Sequence, residues 1–272
     1  MRFHIRGSAV EAMKIASFET DVTDAQWQLL QRLLPAAKRR GRPRTPLRAV
    51  VSAILYVAKS GCAWRLLPPG FPPWPTVYHH FRQWSRDHTW TNLNDRLRAR
   101  VRATVAKRCR PTAAVLDSQT VRSAPHGGPV GYDAAKKTKG RKRFILVDTL
   151  GLLLGATVVV ASTPERAGAQ TLLAPLLPVF TWLQCLWVDG GFSGPDFADW
   201  VRARRRKLKV EVVKRPEGTS GFEVLPRRWV VERTFAWLVQ HRRLVRDYER
   251  TETSATAWIF VAMIRVMLRR LA

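Results

Sequence analysis

The sequence predicts an α/β protein: a mixed sheet covered by helices, spanning residues 111–272, preceded by an all-helical part at residues 1–110. Two observations carry this. Before Arg110-Pro111 the apolar residues recur at helical spacing, and after it β-rich runs alternate with helical ones, two of them joined as a hairpin. The 272 residues are 46% hydrophobic and include 11 Trp, enough to fill a sizeable core.

In the first part, Thr23-Asp24-Ala25-Gln26 is a capping-box pattern, with Trp27, Leu30 and Leu34 following at helical spacing up to Pro35. A second helix over 46–60 presents Val50, Val51, Ile54, Leu55 and Val57, and Gly61 is placed to end it with a left-handed cap. After the Pro-rich connector LLPPGFPPWP, Thr76 is a cap for a third helix with the core stripe Val77, Phe81 and Trp84. Its outer residues are His79, His80, Arg82, Gln83 and Arg86. That basic, amide-bearing face suits a helix-turn-helix recognition element in a DNA major groove, and it suits a solvated helix face equally well. No third ligand is spaced to join His79 and His80 on a metal. Between the first two helices, Arg40-Gly41-Arg42-Pro43 is similar to an AT-hook that enters a minor groove, or is a basic linker.

In the second part, residues 113–118 form a short apolar strand ending at Asp117-Ser118. Residues 144–147 and 152–160 are strands joined by the turn Asp148-Thr149-Leu150-Gly151. A helix over 167–180 leads to a further strand, 185–189, which ends in Asp189. A helix over 195–206, a strand over 208–213 and the helix in RRWVVERTFAWL (227–238) complete the pattern.

Lys and Arg number 47 against 20 Asp and Glu, a net charge of +27, which points to a polyanionic partner and favours nucleic acid. Asp148, Pro175 and Pro178 interrupt the longest apolar runs, so no membrane span is expected. The first residues lack the apolar centre of a signal peptide, and a cytoplasmic protein is expected. Cys62, Cys109 and Cys185 have neither disulfide nor zinc spacing and are expected to be buried thiols.

In so basic a chain three carboxylates stand out. Asp117 and Asp189 each end an apolar strand, and Glu232 interrupts an apolar helix. A divalent cation would offset such a cluster: hard oxygen ligands suit Mg²⁺, and two ions together suit in-line phosphoryl displacement. Singly, each has a plainer reading. Asp117 and Asp189 serve as turn residues, and Glu232 pairs with Arg228 one helical turn away.

The blocks GCAWRLLP (61–68), WPTVYHHFRQW (74–84), VLDSQTVRS (115–123), KGRKR (139–143), VDGGF (188–192) and RRWVVERTFAWL, followed by HRRLVRDYER, occur here in order. The chain thereby resembles the DDE transposases of bacterial insertion sequences, in the insertion sequence five group, from Asp21 to the C-terminus. The resemblance implies an RNase H-like catalytic domain with Asp117 on its first strand, Asp189 just after the fourth and Glu232 on a late helix. Asp117 and Asp189 lie 72 positions apart (189 − 117), and Glu232 a further 43 (232 − 189). These three are the implied catalytic residues and the ligands of two Mg²⁺ ions, with Mn²⁺ as a substitute. The broader family signature also has a tyrosine and a lysine around the glutamate. Arg228 and Glu232 match it, whereas Leu225 and Val239 stand at the other two places.

The implied partner is double-stranded DNA, both element ends and target, held by a dimer or larger assembly. Phosphate contacts are expected from Lys137, Lys139, Arg141, Lys142 and Arg143, taken to face the centre, and from Arg242 and Arg243, with a second basic cluster at 202–207. All are also compatible with solvated faces. Two rivals share these features: a non-enzymatic DNA-binding regulator derived from such an enzyme, and a metal-dependent nuclease of the same fold.

Overall fold

Thr23 Oγ1 accepts the Gln26 amide at 3.2 Å and Gln26 Oε1 accepts the Thr23 amide at 3.3 Å, so the capping box forms and opens α1 (Asp24–Leu30). The computed structural model describes residues 18–36, 44–213 and 229–272; Arg40, Arg42 and Arg228 lie outside the described residues. α1 ends at Leu30, one turn short of Leu34, which is buried nonetheless. α2 (Leu47–Ser60) ends on Gly61 at φ 73°, where a side chain would be strained and its Cβ would stand 3.0 Å from Arg242 Cβ. α3 (Trp74–Arg86) starts two residues before the expected cap at Thr76: Pro73 is the N-cap, and Pro75 sits in the first turn, where a missing N–H costs nothing. Its stripe of Val77, Phe81 and Trp84 is buried. α4 (Thr89–Thr104) completes the helical part.

The sheet is built from β1 (Ala113–Arg122), β2 (Gly131–Asp133), β3 (Thr138–Asp148), β4 (Leu153–Val160), β5 (Cys185–Val188) and β6 (Lys209–Val212). The order is β2-β3-β1-β5-β6, with β4 also on β3. β1, β3 and β4 are antiparallel, while β5 and β6 run parallel to β1. This mixed sheet fits the RNase H-like expectation. Three differences follow from long-range pairing. β1 runs four residues past the expected end because its polar half, Ser118 to Arg122, pairs with Phe144 to Gly140. β3 begins at Thr138 rather than 144, and the short β2 pairs with its start. Asp189 therefore follows the fifth strand in chain order, β2 being additional.

α5 (Glu165–Leu176) and α6 (Pro195–Arg204) cover one face of the sheet over Ala114, Leu116, Phe144 and Leu146. The other face, with Val115, Ile145 and Val147, meets α7 (Trp229–Val239) and α9 (Glu252–Leu271), which are joined through the short α8 (Arg242–Val245). The N-terminal helices belong to this second layer. Trp258 of α9 stacks on Phe81 of α3 at 4.3 Å and on Trp64 at 5.5 Å. The change of pattern near Arg110 is thus a change of secondary structure and not a break in packing.

Cys62 and Cys185 are half-buried, Cys109 is exposed and none is in a disulfide, so the expectation of buried thiols holds in part for the first two and fails for Cys109. Among the described residues no helix is long and apolar enough to cross a membrane.

Candidate active site

Asp117 lies in the middle of β1, not at its end, and the sheet dictates where its side chain goes. Residues alternate between faces along a strand. Val115 belongs to the layer shared with α7 and α9, whereas Ala114 and Leu116 belong to the α5–α6 layer. Asp117 is therefore on the α7 side, half-buried, across from Ile145, with Oδ1 accepting the Ser118 amide at 2.7 Å. β5 brings Asp189 to the same place. The parallel register pairs Val115 with Trp187, and Asp117 and Asp189 each follow two residues later, Asp189 one residue past the end of β5. Asp189 Oδ1 accepts the Gly191 amide at 2.9 Å, capping the 3₁₀ turn Gly190–Phe192 that ends the strand.

Glu232 is carried by α7, which packs on β1 and β3 through Val231, Phe235 and Leu238. The helix is pinned to the β3–β4 turn. Thr234 Oγ1 donates to Gly151 O at 2.9 Å and Arg233 Nη2 to Leu150 O at 3.1 Å. Gly151 takes φ 79°, and a Cβ there would meet Thr234 Oγ1 at 2.8 Å and the Trp237 ring at 3.0 Å, so only glycine permits this approach. Asp148 shapes the turn by accepting the Leu150 and Leu152 amides, both at 2.9 Å, and its other oxygen pairs with buried Arg102 at 2.5 Å. Glu232 itself is exposed.

A polar network on the opposite face of β1 was not legible in the sequence. Ser118 Oγ donates to Glu165 Oε2 at 2.7 Å, and Lys142 Nζ donates to Glu165 Oε1 at 2.9 Å and to Thr163 O at 3.1 Å. Lys142 also faces Asp133 at 3.6 Å, and Asp133 accepts from Thr120 Oγ1 at 2.5 Å. These contacts hold the Asp133 carboxyl below its ordinary pKa, the Thr120 hydrogen bond outweighing the effect of burial together with Lys136 and Lys142. Glu165 also approaches the Asp189 turn, its Cγ lying 3.6 Å from where a Gly191 Cβ would be. The network thus joins the residue after Asp117 to the turn after Asp189.

The basic residues divide. His79, Arg82, Gln83, Lys137, Lys139 and Arg242 are exposed and His80 is half-buried, its pKa lowered by burial and by His79. Arg141, Lys142, Arg143 and Arg243 are buried, which removes the surface needed for the expected phosphate contacts. Arg141 pairs with Asp247 at 3.2 Å, and Arg143 donates to Leu244 O at 2.7 Å. Burial pulls the Arg143 pKa down to about 10. Arg243 pairs with Glu249 at 2.5 Å. The two β3 arginines and Arg243 therefore secure α8 and the chain after it against the body of the protein. In the 202–207 cluster, Arg202 pairs with Asp199 at 2.7 Å and Arg204 lies 4.0 Å over the Trp200 ring.

Asp117, Asp189 and Glu232 offer hard carboxylate oxygens, which suit Mg²⁺ or Mn²⁺ rather than softer metals. Among the described residues no three His, Cys, Asp or Glu side chains already converge as a ligand group, and Asp117, Asp189 and Glu232 each have other interaction partners.

Comparison with known proteins agrees with this architecture. A family model described as "Putative transposase of IS4/5 family" matches residues 22–94, and one described as "Transposase DDE domain" matches residues 108–267. A curated protein of Burkholderia cepacia, the "Insertion element IS402 uncharacterized 16.2 kDa protein", is 32% identical over 117 residues, which cover 40% of this chain and 78% of that protein. No solved structure matches. The DDE match spans the whole sheet together with α7, α8 and most of α9, and on that ground the chain belongs to the DDE transposases of insertion elements.

Proposed function

We propose that the chain binds the terminal inverted repeats of its element, cleaves the DNA there and joins the ends to a target, with Asp117, Asp189 and Glu232 as the catalytic residues. The observation that supports this is the β1–β5 register, which pairs Val115 with Trp187 two residues before the two aspartates, with Val115 in the layer that α7 joins.

Asp117, Asp189 and Glu232 would hold two Mg²⁺ ions, with Mn²⁺ as a substitute. When bound, such ions supply charge neutralisation at a phosphodiester and a lowered pKa for attacking water. The chain contributes position. The sheet holds Asp117, the 3₁₀ turn after β5 holds Asp189, and the Gly151–Thr234 contact fixes the height of α7, which carries Glu232 as the third ligand of this proposal. In the first step water attacks the phosphodiester at an element end and releases a 3′-OH; in the second the oxygen of that hydroxyl bonds to a target phosphorus and the target strand's own 3′-oxygen leaves with the proton. Neither step needs a covalent protein intermediate, so orientation of the DNA and compensation of its charge dominate catalysis.

DNA is held by the exposed Arg82, His79 and Gln83 and the half-buried His80 on α3, by Lys137 before β3 and Lys139 on it, and by Arg242. The helical region at residues 24–104 supplies sequence-specific binding, and two copies act together so that both ends are cut in one assembly. Arg40, Arg42 and Arg228 are further DNA contacts in this proposal.

The test is incubation with labelled element-end DNA and a plasmid target in Mg²⁺, Mn²⁺ or EDTA. Cleaved and joined products that need metal support the proposal. Cleavage without joining indicates a nuclease, and binding without either indicates a regulator.

A further inference from the structure

A cavity of about 780 Å³ opens between the 3₁₀ turn Trp64–Leu66, α3 and the segment that links α8 to α9. It divides the outer surface of α3 in two. Tyr78, Arg82 and Arg86, at i, i+4 and i+8, line the cavity, whereas His79 and Gln83 do not. Arg82 thus faces a pocket and not the open groove-reading surface that sequence spacing assigns it.

The walls combine aromatic rings with uncompensated positive charge. Trp64 meets Tyr78 edge-on at 5.4 Å, and the Arg65 guanidinium lies 5.5 Å over the Trp74 ring. Across the cavity Tyr248 is 44% exposed, and Tyr78 itself is 37% exposed. The acidic lining residue, Glu249, is neutralised by Arg243 at 2.5 Å and accepts from Ser254 Oγ. Arg65, Arg82 and Arg86 make no ion pair among the described residues, so the pocket is strongly cationic.

We propose that this cavity receives one unpaired nucleotide of the DNA, its base stacked against Tyr78 and Trp74 and its phosphate met by Arg82 and Arg86. The volume lies within the usual range for small-molecule-sized sites, about 300–1,000 Å³, so it admits a nucleotide and excludes a duplex. Aromatic faces interleaved with arginine are the recognition chemistry of unpaired nucleic acid, because any base offers a π-face and its phosphate a charge. The inference rests on the reading that the chain binds DNA.

The test compares fluorescence anisotropy titrations of two probes: a blunt duplex of the element end, and the same duplex with a short unpaired thymidine flank. The wild-type protein is expected to prefer the flanked probe by about 5- to 100-fold, the ratio that corresponds to one stacked base. Tyr78→Ala and Trp74→Ala remove that preference and leave blunt-duplex affinity in place, while Tyr78→Phe, which keeps the ring, retains it. Thermal unfolding of each variant shows that it is folded. Equal wild-type affinity for the two probes overturns the pocket assignment, as does an equal loss on both probes in the folded Ala variants. Failure of the wild-type protein to bind either probe overturns the DNA-binding reading itself.

Discussion

Asp117 on β1 and Asp189, one residue past the end of β5, each stand two residues beyond Val115 and Trp187, which pair in the parallel β1–β5 register. Their separation of 72 positions (189 − 117) is the register offset itself. Alternation then places Asp117 on the side of the sheet that α7 covers, and α7 is the helix that carries Glu232.

The proposed roles of Asp117 and Asp189 make Glu165 a positioning residue behind them. It holds Ser118 at 2.7 Å and Lys142 at 2.9 Å, and it reaches toward the Asp189 turn. Glu165→Gln is expected to lower cleavage by about 10- to 100-fold, as is usual for residues that orient metal ligands. End-DNA affinity in EDTA remains unchanged. Single-turnover cleavage beside anisotropy titrations checks this, and unaltered cleavage would remove Glu165 from the account.

The Arg102–Asp148 pair has both side chains at 5% exposure or less. Asp148→Asn leaves the Arg102 charge buried and unpaired, and a loss of about 3–5 kcal/mol is expected. Because Asp148 also shapes the turn to which α7 is pinned, cleavage should fall as well. Urea unfolding measures the first effect.

His241 on the α7–α8 junction is 2% exposed, with Nδ1 3.2 Å from Trp237 O. Burial, then the charge of Arg265 and more weakly that of Lys59, lower its pKa from 6.5 to about 4. The folded-state value is below the unfolded one. Below pH 6.5 the unfolded chain therefore binds a proton that the folded chain does not take up until about pH 4, and stability falls as pH drops through that window. At about 1.4 kcal/mol per pH unit the loss is about 3 kcal/mol. Urea unfolding of wild type and His241→Gln at several pH values should show a difference that disappears above pH 7.

Exposed and buried cations should behave oppositely. Lys139→Ala is expected to weaken DNA binding, lower the salt slope by about 1 and spare stability. Arg143→Ala removes the donor to the Leu244 carbonyl and is expected to cost about 1–3 kcal/mol of stability. Salt-dependent anisotropy and urea unfolding separate the two.

The sequence made the catalytic strands and α7 readable because their patterns are local: an apolar run with a carboxylate in or after it, and a helix stripe of Val231, Phe235 and Leu238. The polar half of β1 and the basic start of β3 were not readable as strand, since what neutralises them is far away in the chain. Arg141 meets Asp247, and Lys142 meets Glu165. For the same reason KGRKR has the pattern of a DNA-facing run, although Gly140, Arg141, Lys142 and Arg143 are all buried. α9 carries no single apolar stripe, being buried on most sides, so its period gives no orientation.

Calorimetric titration of Mn²⁺ into the protein bound to element-end DNA, with cleavage measured in the same preparations, tests most directly whether Asp117, Asp189 and Glu232 form one site. Asp117→Asn, Asp189→Asn and Glu232→Gln are each expected to weaken Mn²⁺ binding and abolish cleavage while end DNA stays bound. Wild-type Mn²⁺ affinity and cleavage in any one of the three variants would contradict the account.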